Sequence, residues 1–125
     1  MRELLHTLLH RVVELDASDL HIKAGNPPLM RIRGDLRRTD FAELSEKDVE
    51  KLLRPLLSEE RSRRLDNYKE VDLSYAVPGL ARFRVNMFWQ RSKMGAVFRL
   101  IPFRIKTIDE LRLPVVTKKL CQFPR

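Results

Sequence analysis

Arginines at alternate positions of one apolar stretch are the residues of this sequence best suited to chemistry. In the segment 81–89, apolar residues occupy every odd position, and Arg82, Arg84 and Asn86 stand between them. This period of two predicts a strand with one buried face and one solvated face. Guanidinium groups form paired hydrogen bonds to phosphate or carboxylate. The solvated face is therefore either a plain basic surface or a binding site for an anion.

A second apolar run follows this strand and carries Arg99. If the two runs form an antiparallel hairpin with both phenylalanine-bearing faces buried, Val85 pairs with Phe98. That register places Arg84 directly opposite Arg99 and requires a loop with an even number of residues, such as Arg91-Ser92. Like charges directly opposite each other repel. The register therefore favours an anion, or carboxylates of a partner, between the arginines; the alternative is that both side chains extend into water.

Composition favours anionic partners without choosing among them. The chain has 125 residues, and its 25 Lys and Arg against 17 Asp and Glu give a net charge of +8. Such a balance suits nucleic acid, lipid headgroups, nucleotide phosphates or an acidic protein surface. Cys121 is the single cysteine, which excludes an internal disulfide and a cysteine-based metal site. Neither a signal peptide nor an apolar run of membrane-spanning length is present, so we expect a cytoplasmic protein.

The usual signatures of a self-contained catalyst are missing from the 125 residues. The four glycines, at positions 25, 34, 79 and 95, form neither a phosphate-binding loop nor a dinucleotide fingerprint. No nucleophile turn of the G-x-S-x-G type exists. His6 and His10 have a spacing that can chelate a metal, but no third ligand accompanies them. We expect no catalytic residue and no metal site in this chain.

The elements that must position the arginines follow from periodicity. A helix is predicted over 2–15, three short strands between 20 and 38, and three longer strands between 71 and 101. Between the two groups of strands, one helix should begin at Ser45 and end or kink near Arg54, because Pro55 follows, and another should run from Ser58 to about residue 67. Hairpins with grouped helices indicate an α+β domain on an antiparallel sheet.

Two groups of motifs follow one another along the chain. The first comprises Ala17-Ser18-Asp19-Leu20-His21, Gly25-x-Pro27-Pro28 and Arg31-x-x-Gly34-Asp35. The second comprises Arg82-Phe83-Arg84-Val85-Asn86, Gly95-Ala96-Val97-Phe98-Arg99-x-Ile101-Pro102 and Thr107-Ile108-Asp109-Glu110-Leu111. In this order the motifs resemble the N-terminal part of the type IV pilus retraction ATPases. The match continues to Phe123-Pro124-Arg125 and so covers nearly the whole chain.

The resemblance implies a fold and a division of the chain. It implies a PAS-like antiparallel sheet packed with helices over 1–101, the N-terminal domain of a hexameric motor. It also implies that 102–125 form a linker, with a short helical tail, into a RecA-like ATPase domain. The Walker elements of that domain are absent from the sequence. The family is an ATPase family, but we expect this chain alone to be inactive.

The resemblance also implies site residues and partners. ATP and Mg²⁺ would be bound mainly by the RecA-like domain, with Arg84 and Arg99 matching the family's phosphate-sensing arginines. Arg82 and Arg91 are secondary candidates, and the motif that contains Asp19 and His21 is expected to be structural or interfacial. Implied partners are the RecA-like domains of the same and neighbouring subunits in a homohexamer, and the inner-membrane pilus platform protein.

The implied role is that of a nucleotide-sensing and ring-assembly domain in pilus retraction and twitching motility. Its implied location is the cytoplasm, at the inner-membrane base of the pilus machine, with no nucleic acid as a partner. The alternative is a basic module that binds nucleic acid or protein, for which Phe88 and Trp89 would be stacking groups. Trp89, however, belongs to the apolar alternation and is more typical of a core residue.

Overall fold

Six antiparallel strands and three α-helices make up residues 2–101, the part of the chain that the computed structural model describes. The elements are α1 (Arg2–Glu14), β1 (Asp19–Lys23), β2 (Leu29–Ile32), β3 (Asp35–Arg38), α2 (Glu46–Leu53), a 3-10 turn (Arg54–Leu56), α3 (Glu59–Tyr68), β4 (Glu70–Val77), β5 (Ala81–Gln90) and β6 (Lys93–Ile101). The predicted α+β class is confirmed. The linker and helical tail predicted for 102–125 lie outside the described residues.

The strand order is β3-β2-β1-β6-β5-β4, so the first and last strands of the described chain are neighbours in the middle of the sheet. Every pairing is antiparallel. Short loops join β4 to β5 and β5 to β6, so each of these pairs forms a hairpin. The β1–β6 pairing joins segments that are distant in sequence. No helix within residues 2–101 has the length and apolar character needed to cross a bilayer.

The core lies between the helices and one face of this sheet. Alternate residues of β5, namely Phe83, Val85 and Met87, are fully buried, as is Phe98 of β6. They pack in one cluster with leucines and valines from the helices. Burying side chains of this size contributes roughly 2 kcal/mol each. The predicted inward face of the hairpin is confirmed, and the alternate positions form an outer face that the described helices leave uncovered.

Local capping explains where the second helix begins and ends. Ser45 Oγ accepts a hydrogen bond from the Asp48 amide at 3.1 Å, and Asp48 Oδ2 accepts one from the Ser45 amide at 3.0 Å. This reciprocal pair is a capping box. Pro55 lies in the 3-10 turn that follows α2. The α-helix ends before it because proline has no backbone N–H to donate to a continuing helix. Both predicted boundaries are confirmed.

One carboxylate ties α3 and the 3-10 turn to the strand that carries the arginines. Asp66 accepts hydrogen bonds from Arg54 Nη2 at 3.0 Å and from Trp89 Nε1 at 3.2 Å. The hydrogen bond from Arg54 is the main reason that the pKa of Asp66 is lowered. Trp89 is half-buried against the core. Its indole therefore has a structural partner, which weakens its interpretation as a stacking group for bases.

The loop between β5 and β6 consists of Arg91 and Ser92, both with positive φ, 53° and 67°. Two consecutive residues in this conformation form the tight turn that matches the twist of an antiparallel hairpin. The predicted even-numbered loop is confirmed. Residues with a Cβ are strained in this region of backbone space, where glycine is not.

We expect Ser92→Gly to stabilise the chain by about 1 kcal/mol, because glycine adopts this left-handed conformation without strain. Chemical denaturation monitored by far-UV circular dichroism measures the effect. Ser74→Gly is the matched control, an exposed serine inside β4, and it should destabilise the chain because glycine weakens a strand. Destabilisation by both substitutions would contradict the turn geometry.

Candidate functional site

Four charged side chains lie in one row across the outer face of the sheet. The strand registers pair Arg84 with Arg99, Arg99 with Asp19, and Asp19 with Arg31. Residues directly opposite each other in antiparallel strands project from the same face, with Cβ atoms about 5 Å apart. The predicted opposition of Arg84 and Arg99 is therefore confirmed. We call these four residues, on strands β5, β6, β1 and β2, the arginine row.

Asp19 is the buried member of the row and is 5% exposed. Within residues 2–101 it is the one charged side chain that is buried. Arg99 Nε donates to its Oδ1 atom at 3.2 Å, and Arg31 Nε donates to its Oδ2 atom at 3.4 Å. A carboxylate in such a place requires positive or hydrogen-bonding partners. The two flanking strands supply one arginine each.

The three arginines of the row differ in how their remaining donors are used. Arg31 also donates from Nη1 to the Gly34 carbonyl oxygen at 3.0 Å, so it is held on both sides. Arg99 is 68% exposed, and its two Nη groups donate no hydrogen bond to residues 2–101. Arg84 is exposed and forms neither a hydrogen bond nor a salt bridge within the same described range. Arg84 and Arg99 therefore present unused donors to the solvent.

The secondary candidates are placed differently from each other. Arg82 lies on the same outer face as Arg84, one row further along, opposite Ile101 and Ala76, and is exposed. Arg91 lies in the hairpin turn, seven positions from Arg84, which corresponds to roughly 20 Å along the strand. The structure thus brings Arg82, Arg84 and Arg99 together and leaves Arg91 apart.

Sequence reasoning missed Arg31 as a member of the row, although a signal was available. Arg31 lies between Met30 and Ile32, which are apolar, and this alternation assigns it to the solvated face of β2. Periodicity does not give the order of the strands in the sheet, and that order is what places Arg31 beside Asp19. Asp19 and His21 were assigned a structural or interfacial role, and the structure places Asp19 among the arginines themselves.

His21 lies on β1 beside the row and has no hydrogen-bonding partner for Nε2 among the described residues. Nε2 is 3.7 Å from Asp19 Oδ2, too far for a hydrogen bond. Burial lowers the pKa of His21 below its ordinary value of 6.5, and the Asp19 carboxylate opposes that shift in part. The imidazole is therefore neutral at neutral pH. His6 differs from His21 in having a partner, because its Nε2 atom lies 2.7 Å from Tyr75 Oη.

The chemistry of this arrangement suits the binding of negative charge. The row contains three guanidinium groups and one carboxylate, so it retains positive charge after the internal ion pairs are formed. A pair of guanidinium groups facing one side suits the oxygens of a phosphate. No group of three metal-ligating side chains occurs within residues 2–101. The described residues therefore fit a phosphate group but do not supply a site for its Mg²⁺.

We expect the stability of the chain to fall as the pH drops through about 6.5, because His21 binds its proton more readily when unfolded. The pKa of His21 is lower in the folded state than in the unfolded state. The contribution of neutral His21 to the free energy of unfolding is therefore fully present above the unfolded-state pKa, and it is lost as the pH falls below that value. His21→Gln should flatten this dependence in urea denaturation between about pH 7.5 and about pH 5.5. His10→Gln, at an exposed position of α1, is the control; equal slopes for the wild type and His21→Gln would contradict the assignment.

Comparison with known proteins gives pilus ATPases among the relatives of the chain. No protein-family model matches the chain. It is 42% identical over 109 residues to the type IV pilus retraction ATPase PilT of Pseudomonas aeruginosa, covering 87% of the chain and 32% of that protein. It is 35% identical over 113 residues to the type IV pilus ATPase PilU of the same organism, covering 90% of the chain and 30% of that protein.

A solved structure of the pilus retraction motor PilT with bound ADP has the same fold over the shared region. The TM-score is 0.73 at 38% identity, and the match covers 86% of this chain and 32% of that one. The chain spans about a third of the length of the relatives it matches. Sequence and fold agree, and the chain corresponds to the N-terminal domain of the PilT-type secretion ATPases.

Proposed function

We propose that this chain is the PAS-like, nucleotide-sensing and ring-assembly domain of a hexameric motor ATPase that drives type IV pilus retraction and twitching motility. The observation that carries the proposal is the pair formed by Arg84 and Arg99, which face solvent from neighbouring strands with unused donors. Its relatives support the proposal, since one is named a retraction ATPase and a solved relative contains ADP.

Arg84 and Arg99 are the residues that contact the phosphates of ATP, with Arg82 as a secondary contact. Two arginines whose Cβ atoms lie about 5 Å apart on one face can donate from their guanidinium groups to different oxygens of a single phosphate group. Such donors stabilise the charge that develops on a phosphoryl group during transfer. Mg²⁺ would be held by the ATPase domain, because the described residues include no ligand set for it. This chain contributes binding and leaves hydrolysis to that domain.

A shared site also gives nucleotide a way to move the domain. If the arginines contact a phosphate that the ATPase domain holds, their contact exists in one nucleotide state and is lost in another. A ligand shifts a conformational equilibrium only through such a difference in contacts. The arginine pair would thus couple the nucleotide state to the position of the N-terminal domain.

The proposed partners follow from this arrangement. Residues 102–125 would lead into the RecA-like ATPase domain, and the ATPase domains of the same and the neighbouring subunit would lie near the outer face of the sheet in a homohexamer. The full machine would work in the cytoplasm at the inner-membrane base of the pilus, against the platform protein. The outer face also carries the exposed apolar side chains of Leu36 and Ile101 beside the arginines, which supports a protein-covered surface there.

We expect Arg84→Ala and Arg99→Ala each to reduce ATP turnover by at least about tenfold once an ATPase domain is present, because each removes a donor to the transferring phosphate. The test is a chimera in which this chain replaces the matching region of P. aeruginosa PilT. The measurement is steady-state phosphate release by the purified chimera.

Arg63→Ala is the matched control, since Arg63 is an exposed arginine on α3 away from the row, and its turnover should stay within about twofold of the parent. Unchanged turnover in both Arg84→Ala and Arg99→Ala would reject the sensing role. Equal losses in all three variants would attribute the effect to net charge instead.

The chain alone should show negligible ATP hydrolysis, because its 125 residues contain no Walker motif and residues 2–101 contain no group of three side chains that could hold a metal ion. Binding of phosphate compounds should be weak, in the millimolar range, since half of the contacts are missing. Turnover that persists through repeated chromatography and co-elutes with the chain would contradict this expectation.

A further inference from the structure

The contact between Asp19 and Arg99 has an unusual asymmetry. Arg99 uses Nε to reach Oδ1 of Asp19 at 3.2 Å. Its two Nη groups donate no hydrogen bond within residues 2–101, and the side chain as a whole is 68% exposed. Asp19, in contrast, is almost completely buried. The carboxylate thus holds the arginine at the base of its guanidinium and leaves the outer end of that group unoccupied.

We propose that Asp19 is a positioning residue that orients Arg99 for a phosphate. The proposal rests on the proposed function of the arginine pair and adds to it the residue that sets the geometry. Arg99 would remain the group that touches the ligand, and Asp19 would act through it.

Asp19 is itself held from the opposite side. Arg31 Nε donates to Oδ2 at 3.4 Å, and Arg31 Nη1 donates to the Gly34 carbonyl oxygen at 3.0 Å. The contacts therefore run from the β2–β3 turn through Arg31 and Asp19 to Arg99, across three adjacent strands. Both oxygens of the carboxylate are engaged, one by each neighbour. Asp19 cannot turn toward solvent without losing both hydrogen bonds.

Orientation matters because a long side chain loses rotamer freedom when it binds. An arginine that is already held at Nε has less freedom left to lose, and its donors point in a defined direction before the ligand arrives. Arg84 lacks any such anchor within the described residues. The two arginines would then have different tasks, with Arg99 as the fixed contact and Arg84 as the adaptable one.

A simple charge effect predicts the opposite result from a positioning effect, which makes the proposal testable. A carboxylate near a bound anion repels it, so removing the charge of Asp19 should strengthen anion binding if Asp19 acted through Coulomb interaction alone. If Asp19 orients Arg99, removing its charge weakens the Nε hydrogen bond and so weakens binding.

The first measurement needs no ligand. In the ¹⁵N-labelled 125-residue chain, the Nε–H proton of Arg99 should exchange with water at least about tenfold more slowly than that of Arg82, because it is held in a charge-assisted hydrogen bond. In Asp19→Asn the Arg99 proton should exchange at nearly the rate of Arg82. If the Nε–H proton of Arg99 exchanges as fast as that of Arg82 in the wild-type chain, the positioning role is overturned.

The second measurement is a titration with inorganic triphosphate, followed by the Nε–H signals of Arg84 and Arg99. Asp19→Asn should raise the apparent Kd by about threefold or more. Asp72→Asn is the matched control, because Asp72 is an exposed carboxylate one row away on the same face of the sheet. That substitution should leave the Kd unchanged or lower it slightly.

The outcomes separate the two proposals. Tighter binding in Asp19→Asn, as large as that in Asp72→Asn or larger, would mean that Asp19 acts only as a charge and would overturn the positioning role alone. No response of Arg84 and Arg99 to triphosphate in the wild type would overturn the proposed phosphate site itself, and with it the purpose of the orientation. Slow exchange of the Arg99 proton together with weaker binding in Asp19→Asn would support both.

Discussion

A carboxylate buried in the middle of the sheet is the constraint on which the outer face depends. Asp19 is 5% exposed, and an ionised group in such a place is tolerated only with good partners. Arg31 and Arg99 provide them from the strands on either side. This pairing requires β1 to lie between β2 and β6, so the electrostatic requirement and the strand order support each other. The apolar inner face then sets the rest of the register through the fully buried side chains of β5 and β6.

The parts of the fold that depend on neighbouring residues were predictable from the sequence. Period-two alternation and the two-residue loop at Arg91 and Ser92 were enough to place Arg84 opposite Arg99. The Ser45 cap and the break at Pro55 were predictable for the same reason, because each depends on side chains within a few positions. In these cases, local geometry leaves few alternatives, and the structure agrees with the expected element in type and boundary.

The central pairing of the sheet was not predictable in this way. Asp19 and Arg99 are 80 positions apart, and no turn of fixed length connects their strands. Their pairing depends on how the whole apolar face is buried, which is a property of the assembled core. Alternation could assign Asp19 and Arg31 to the solvated sides of their own strands, but it could not order those strands. The sequence therefore indicated Arg84 and Arg99 but not the carboxylate of Asp19, which lies on the other side of Arg99.

The charge that remains after internal pairing supports the proposal of a shared site over that of a plain basic surface. Asp19 compensates part of the charge of Arg31 and Arg99, while Arg84 has no described partner. Long nucleic acids are usually bound by wide basic surfaces with exposed aromatic groups, whereas here the indole of Trp89 is engaged by Asp66. The row offers only two arginines with unused donors, which matches the size of a compact anion such as a phosphate. If another domain holds that anion, the energy of the arginine contacts depends on the separation of the two domains. A phosphate that is present or absent would then change the preferred separation of the domains, as the proposed nucleotide sensing requires.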